Sequence, residues 1–513
     1  MSRIAGLVRT RIFGHFLGNS MAANAFQAAF KIPNTLQNLL GEGVLSASFI
    51  PVYSRLLAEG QTRLAARVAG IVGSLLALVV SIAVLIGVIA APLLVYAVAP
   101  GFHGEERELT IQIVRVTFPG MGLFVLSAWC LGILNSHRLF FISYVAPVLW
   151  NLAMIATLLF YGRGEPQIPP VVLPPGGGLL HTILFFVLPG VPKLILQTFQ
   201  NHLAVKLAWG SVIGALLQLG VQIPFIFLLK TADGKPIGHG IRFGLDTALE
   251  PVRHIFQSLG PVVVSRGVVQ LSAFVDSIIA SWLGPAVSGL AYAQNLYTLP
   301  VSLFGMSIAA AELPEMSSAL GTNEEIHEKL RTRLVNGKRT IAFYVIPCVC
   351  GFIILGHYCV SGLLQTGELG PQGSLYVWYI LMGSTVGLLA ATWGRLYSSA
   401  FYALRDTRTP LRFAIIRVTL TAVLGLLFAF PLRPLINDLL RALHFDIPKM
   451  PDIEMGLGAV GLTFSAGIAG WIEFLLLRGA LQRRIGSTAL PNHYPAKIWL
   501  AALCASAAGW GAG

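Results

Sequence analysis

Residues 20–45 of the chain read SMAANAFQAAFKIPNTLQNLLGEGVL, an apolar stretch of helical length with polar side chains at regular intervals. The polar positions recur every three or four residues, so on a helix they share one face. They are Asn24, Gln27, Lys31, Asn34, Asn38 and Glu42. In a membrane such a face indicates either a water-filled cavity or an interhelical hydrogen-bonded seam. The lysine favours the cavity, because a buried unpaired ammonium is far more costly than a buried amide.

The composition indicates which solvent surrounds the rest of the chain. Of its 513 residues, 55% are hydrophobic and only 11% are charged, and the mean hydropathy is +0.74. A soluble chain has roughly a quarter of its residues charged, so this chain is predicted to be an all-α integral membrane protein. Apolar windows of about 20 residues, enough to cross a hydrocarbon core, recur along it. Helices are predicted near 1–18, 22–55, 66–98, 109–135, 141–161, 204–229, 254–283, 287–318, 339–365, 374–404, 411–431, 456–477 and 497–513.

The charges indicate how these helices cross the membrane. Lys and Arg total 35 against 22 Asp and Glu, which gives a net charge of +13. With a cytoplasmic N-terminus, the basic clusters fall in inside loops through the first twelve crossings, as the positive-inside rule requires. This explanation of the positive charge requires no nucleic-acid partner. A further crossing at 179–196 would invert every later loop, so 162–203 is predicted to be an outside-facing re-entrant or interfacial insertion.

The predicted helices fall into two halves of similar outline, joined by a charged segment. Transporters commonly build two lobes by internal duplication, so we predict two six-helix bundles around a central cleft plus one C-terminal helix. The N-terminal lobe is residues 1–230, followed by a cytoplasmic linker at 231–252. The C-terminal lobe is 253–480, and 481–513 holds a cytoplasmic segment and a partial thirteenth helix.

Several arginines lie at membrane depth. Arg9 in the first predicted helix and Arg266 in the seventh are the hardest to explain by a position near a helix end. A guanidinium stays charged and offers a planar fork that suits phosphate oxygens. Cations in a cleft therefore imply a substrate with phosphate or carboxylate groups. Arg3 and Arg395 lie near predicted cytoplasmic helix ends, where they could instead extend to the membrane surface.

The eighth predicted helix carries a second polar face that includes Asn295, Thr298 and Ser302. Asp276 in the seventh is the candidate for proton or cation coupling, and a salt bridge to Arg417 or to another helix is the alternative. The candidate substrate-binding residues are Arg3, Arg9, Lys31, Asn34, Asn38, Glu42, Arg266 and Asn295.

Enzyme motifs are missing from the sequence. It contains neither a GxxxxGK[ST] nucleotide-binding loop nor a His-Glu-x-x-His zinc helix. We therefore predict no catalytic residue, no metal site and no cofactor. The run 103–106, His-Gly-Glu-Glu, is expected to be solvated charge in an outside loop.

A family resemblance rests on motifs that occur in order along most of the chain. The opening stretch has Arg3 and Arg9 followed by AFKIPN at 29–34 and Glu-Gly at 42–43. APGF at 99–102, GILN at 132–135 and FYALRDTRTP at 401–410 follow. This pattern strongly resembles the MurJ/MviN proteins, the lipid II flippases of peptidoglycan synthesis.

The resemblance implies a two-lobed transporter of the superfamily that also contains multidrug antiporters and polysaccharide flippases. It implies movement of an undecaprenyl-pyrophosphate-linked disaccharide pentapeptide across the bacterial inner membrane, with cleft cations that hold the pyrophosphate. The expected partners are this anionic lipid-linked glycan and the membrane lipids, and cell-wall synthesis proteins are further candidates.

The chain departs from the family pattern at positions that are usually charged. Asn24 stands where the family has an Asp, and Thr10 replaces another. Gln37 and Asn38 replace an arginine pair, and Gln294–Asn295 replaces Asp-Arg. The chain is also expected to stop before a fourteenth helix. These departures keep three alternatives open: a flippase for another lipid-linked glycan, a superfamily antiporter, and a non-transporting scaffold of a cell-wall assembly complex.

Overall fold

The computed structural model describes most of the chain, in two compact units that are considered separately, Met1–Phe274 and Val275–Gly513. The described residues are 2–164, 190–229, 241, 244, 246, 249–257, 274–317, 323–404, 406–442, 448, 456–490 and 493–511. Most of the predicted insertion and linker, and Arg266, lie outside them. Within them the regular secondary structure is helical apart from one isolated β-bridge, which confirms the predicted all-α class.

The N-terminal unit contains eight labelled helices. They are α1 (Ser2–Leu17), α2 (Met21–Leu40), α3 (Glu42–Ala58), α4 (Thr62–Ile89), α5 (Ala91–Val98), α6 (Gly104–Ser136), α7 (Phe140–Gly162) and α8 (Gly190–Phe227). Residues 250–257 are also helical. Part of the predicted linker packs on this unit, because Asp246 forms an ion pair of 2.9 Å with Arg67 of α4.

Helix α6 forms the centre of this unit. In its most apolar window 78% of the residues are buried, compared with 33% in α4 and 29% in α7. It packs against α2, α3, α4 and α8. A buried polar contact joins α6 to α8, where the Ser127 hydroxyl lies 2.8 Å from Gln222 and 3.0 Å from Gln218.

The predicted single helix 22–55 is wrong, because the chain breaks at Gly41 into α2 and α3. Gly41 has φ −86° and ψ −148°, and its N–H donates to the Gln37 carbonyl at 2.7 Å. A Cβ at this position would overlap that same carbonyl oxygen. Glu42 therefore begins α3 and does not continue the polar face of α2.

The C-terminal unit contains ten labelled helices. They are α9 (Ala286–Pro300), α10 (Ser307–Ser317), α11 (Asn323–Ile354), α12 (Gly356–Leu364), α13 (Pro371–Thr385), α14 (Leu388–Ala403), α15 (Arg408–Ala429), α16 (Arg433–Ala442), α17 (Gly458–Ile485) and α18 (His493–Gly511). Residues 274–280 are also helical. Helix α16 lies between the predicted helices 411–431 and 456–477.

The core of this unit is formed chiefly by α11, α14 and α17. Helices α13 and α14 meet at a bend of 43°. Gly387 lies at this bend, and a Cβ there would be only 2.7 Å from the Cα of Gly467 on α17. The bend therefore packs backbone against backbone, which small residues permit in membrane helix pairs.

Seven helices in the described part of the chain are long and apolar enough to cross a membrane, and the bent pair α13–α14 would make an eighth. They are distributed over both units, which agrees with a multi-pass membrane protein.

Candidate functional site

In the N-terminal unit, α2 carries the polar face that was predicted, but its residues differ in burial. Asn24 is 4% exposed, whereas Gln27, Lys31, Asn34 and Asn38 are half-buried. The Lys31 carbonyl accepts the Thr35 hydroxyl at 3.1 Å, a local bond within the helix. The face is thus closed at the Asn24 end and partly accessible from Gln27 onward.

Arg9 of α1 and Phe30 of α2 both contact the aromatic ring of Trp150. Its guanidinium carbon is 4.6 Å from the centroid of the Trp150 ring on α7, and its Nη1 is 3.9 Å from the Met154 sulfur. Phe30 of α2 stacks on the same indole at 5.8 Å. The indole N–H is held by the Ser211 hydroxyl at 3.1 Å. Arg9 is therefore oriented by a cation–π contact beside the residue that precedes Lys31.

Within the described residues, no carboxylate forms an ion pair with Arg9. A half-buried guanidinium with an aromatic neighbour keeps its charge available for an anion. Arg3, which precedes Arg9 on α1, is exposed. The structure thus places Arg9 close to α2, and Arg3 at the accessible start of α1.

At the buried end of the face, Asn24 belongs to a hydrogen-bonded seam. Its side chain bonds that of Glu106 in the first turn of α6. The neighbouring Glu105 accepts Gln197 at 2.9 Å and Asn201 at 2.6 Å, both from α8. The expectation of solvated charge at 103–106 is therefore wrong for Glu106, which is half-buried. Asn24 therefore belongs to an interhelical hydrogen-bonded seam and not to the wall of a water-filled cavity.

In the C-terminal unit, the second polar face lies on α9. Asn295 is exposed, and its amide donates to the Ala291 carbonyl at 3.0 Å. The Gln294 amide donates to the Thr298 hydroxyl at 3.1 Å. Pro300 ends α9, and a π-helical turn, Val301–Met306, links it to α10. Such turns are frequent at functional sites because they distort a helix locally.

Asp276 is half-buried within the helical residues 274–280. The alternative partner, Arg417 of α15, forms an ion pair of 3.2 Å with Glu473 of α17. The sequence contained a signal for this pair, because Glu473 is the single acidic residue of α17. The predicted residues Asp276 and Asn295 both lie in the C-terminal unit, and the remaining described candidates lie in the N-terminal one.

Two predicted residues cannot be placed. Arg266 lies outside the described residues, and only the backbone of Glu42 is described. No group of three His, Cys, Asp or Glu side chains that could hold a metal occurs in the described ranges.

Comparison with known proteins gives a family match over most of the chain. The family model described as "Lipid II flippase MurJ" matches residues 13–435. A probable lipid II flippase of Rickettsia prowazekii is 28% identical over 431 residues, which cover 83% of this chain and 75% of the relative. A lipid II flippase of Burkholderia cenocepacia is 26% identical over 492 residues, or 94% of this chain and 82% of that one.

Solved structures show the same fold. A lipid II flippase in an inward closed conformation aligns with a TM-score of 0.71 at 21% identity, over 99% of this chain and 90% of the other. An inward-facing MATE multidrug resistance transporter of the MOP superfamily aligns with a TM-score of 0.64 at 18% identity, over 94% and 96% of the two chains.

Proposed function

The chain belongs to the MurJ family of lipid II flippases, and from this premise we propose that it moves lipid II from the cytoplasmic to the outer leaflet of the bacterial inner membrane. The proposal depends chiefly on the environment of Arg9. This residue is a half-buried guanidinium oriented by Trp150 at 4.6 Å and lies beside the polar face of α2. A fixed, charged fork at this place suits the pyrophosphate of a polyprenyl-linked precursor.

The head group is bound by cations and amides that serve different parts of it. Arg9 and Lys31 bind the pyrophosphate, and Arg3 and Arg266 add positive charge. The half-buried amides of Asn34 and Asn38, with Glu42 and Asn295, offer the donors and acceptors that sugar hydroxyls require. The polyprenyl tail stays in the bilayer, where its burial costs nothing.

Transport proceeds by alternating access of the two lobes, in a chain whose N-terminus is cytoplasmic. A proton or cation at Asp276, or the membrane potential, biases the exchange between inward- and outward-open states. Moving one elementary charge across 100 mV supplies about 2.3 kcal/mol. The protein acts as a carrier and has no chemical step of its own.

The test is complementation of a bacterium depleted of its own lipid II flippase. The intact chain should restore growth, and Arg9→Ala should abolish rescue because the pyrophosphate loses its oriented partner. The matched control is Arg11→Ala, an exposed arginine on another face of the same helix, which should rescue normally. Membrane insertion of each variant is checked by immunoblot.

Failure of the intact chain to rescue, despite normal insertion, would reject lipid II as the cargo. It would favour another lipid-linked glycan, an antiporter substrate or a scaffold. Rescue that persists in both Arg9→Ala and Lys31→Ala would reject the cationic site instead.

A further inference from the structure

The C-terminal unit contains a second group of charges at membrane depth. Arg417 on α15 and Glu473 on α17 form an ion pair of 3.2 Å. Arg395 on α14 is within electrostatic range of both, and also of the Tyr297 hydroxyl on α9. We call these four residues the C-terminal arginine site.

All three charged members lie at a similar depth from one membrane surface. At 1.5 Å per residue, Arg395 is about 12 Å from the end of α14 and Arg417 about 14 Å from the start of α15. Glu473 is about 18 Å from the end of α17. These helix ends meet, because Arg484 in the last turn of α17 bonds Asp406, between α14 and α15, at 2.7 Å. The site therefore lies two to three helical turns inside these helices, away from the end that they share.

The site has a surplus of positive charge. Two arginines face one carboxylate, and the described residues include no carboxylate in an ion pair with Arg395. A cation at this depth is costly unless water or an anion reaches it. Arg395 is exposed, and so is Tyr402 two turns later on the same face of α14. Leu396 and Tyr397 on other faces are fully buried.

The charges also have an accessible polar neighbourhood. Tyr297 adjoins the exposed Gln294 and Asn295 within α9. The Tyr297 side chain is in electrostatic range of the Arg395 guanidinium, which forms no ion pair with a carboxylate in the described residues. Such a combination recognises an oxyanion in a bidentate manner.

We propose that Arg395 and Arg417 form a second anion-binding subsite, in the C-terminal unit and additional to Arg9 and Lys31, which takes the phosphate or pyrophosphate group of the lipid-linked substrate. The proposal rests on the proposed function for the identity of that substrate. Glu473 holds Arg417 in place and limits the local charge to one excess positive charge. Arg395 supplies the free fork that contacts the oxyanion.

The experiment measures binding of undecaprenyl pyrophosphate to the full chain in phosphatidylcholine nanodiscs, with undecaprenol as the uncharged probe. Arg395→Ala should weaken binding of the pyrophosphate at least tenfold, and Arg395→Lys should weaken it less. The matched control is Arg412→Ala, an exposed arginine of α15, which should bind like the intact chain. Undecaprenol should bind all variants equally.

A second variant, Glu473→Gln, should change the affinity for pyrophosphate in the opposite direction. Glu473→Gln raises the local excess from one positive charge to two, so it should tighten pyrophosphate binding about threefold. A merely structural role for the ion pair would weaken binding and lower the thermal unfolding midpoint. Either of those results for Glu473→Gln would overturn the subsite.

Unchanged affinity in Arg395→Ala would also overturn the subsite. If Arg9→Ala lost binding in the same assay, the proposed function would still stand. No binding by the intact chain would reject both. Equal displacement of the probe by phosphatidylglycerol, with the same dependence on Arg395, would assign the site to lipid headgroups and overturn the substrate assignment.

Discussion

Asp406 shows how one carboxylate organises the surface where three helices of the C-terminal unit end. One of its oxygens accepts the N–H groups of Arg408 and Thr409, both at 3.0 Å, and so caps the start of α15. The other accepts the Thr409 hydroxyl and Arg484, both at 2.7 Å. These bonds, first of all that from the Thr409 hydroxyl, lower the pKa of Asp406 from 3.8 to about 2.

The lowered pKa predicts a pH dependence of stability. Since the folded-state pKa is below the unfolded value, the carboxylate stabilises the fold above pH 3.8, and this contribution is lost as the pH falls toward about 2. Asp406→Ala should lower the free energy of unfolding at pH 7 by about 1 kcal/mol through lost capping, and should show a smaller further loss of stability below pH 4 than the intact chain. The exposed Asp438 of α16 is the control. Equal unfolding midpoints for Asp406→Ala and the intact chain at pH 7 would contradict this role.

At the scale of the element, the break at Gly41 decides where the polar face of α2 ends. An added Cβ would overlap the Gln37 carbonyl oxygen, so the backbone there must move to accept any side chain. The same carbonyl receives the Gly41 N–H at 2.7 Å, which makes the turn rigid. The separation of α2 from α3 therefore depends on glycine.

Gly41→Ala should destabilise the protein by about 1–3 kcal/mol, because the added Cβ would overlap the Gln37 carbonyl oxygen and force the backbone to shift. The comparison is Gly220→Ala in α8, where a Cβ meets nothing within 4 Å and alanine should be neutral or stabilising. Thermal unfolding of the purified variants measures both. A Gly41→Ala midpoint as high as that of Gly220→Ala would show that the break does not require glycine.

At the scale of the whole molecule, the charge distribution predicts a cytoplasmic N-terminus and an outside location for the loop before α6. His103→Cys, at an exposed position of that loop, should react with an impermeant thiol reagent in intact cells. Gln61→Cys, exposed between α3 and α4, should react only after lysis. Both are placed in a chain whose five cysteines are replaced. The reverse pattern would invert the predicted topology.

The amino-acid sequence alone determined the membrane class, the helical fold, the position of the polar face on α2 and the family motifs. These follow from composition and from spacing of three or four residues, which are properties of a short stretch of chain. The sequence also singled out Arg9, because a cation at membrane depth implies an anionic substrate. The predicted roles of the site residues, and the lobe boundaries, remain predictions.

Only the tertiary structure decided which of these side chains meet. Asn24 bonds Glu106, Arg9 lies over Trp150, and Arg417 pairs with Glu473. Each pair joins different helices, and partners such as Arg9 and Met154 are 145 positions apart. Periodicity states which face of a helix is polar, but the rotation and crossing of packed helices determine what that face contacts. This is why the sequence could predict a polar face and a set of cations, while packing determined which of them are sealed in a seam and which remain accessible.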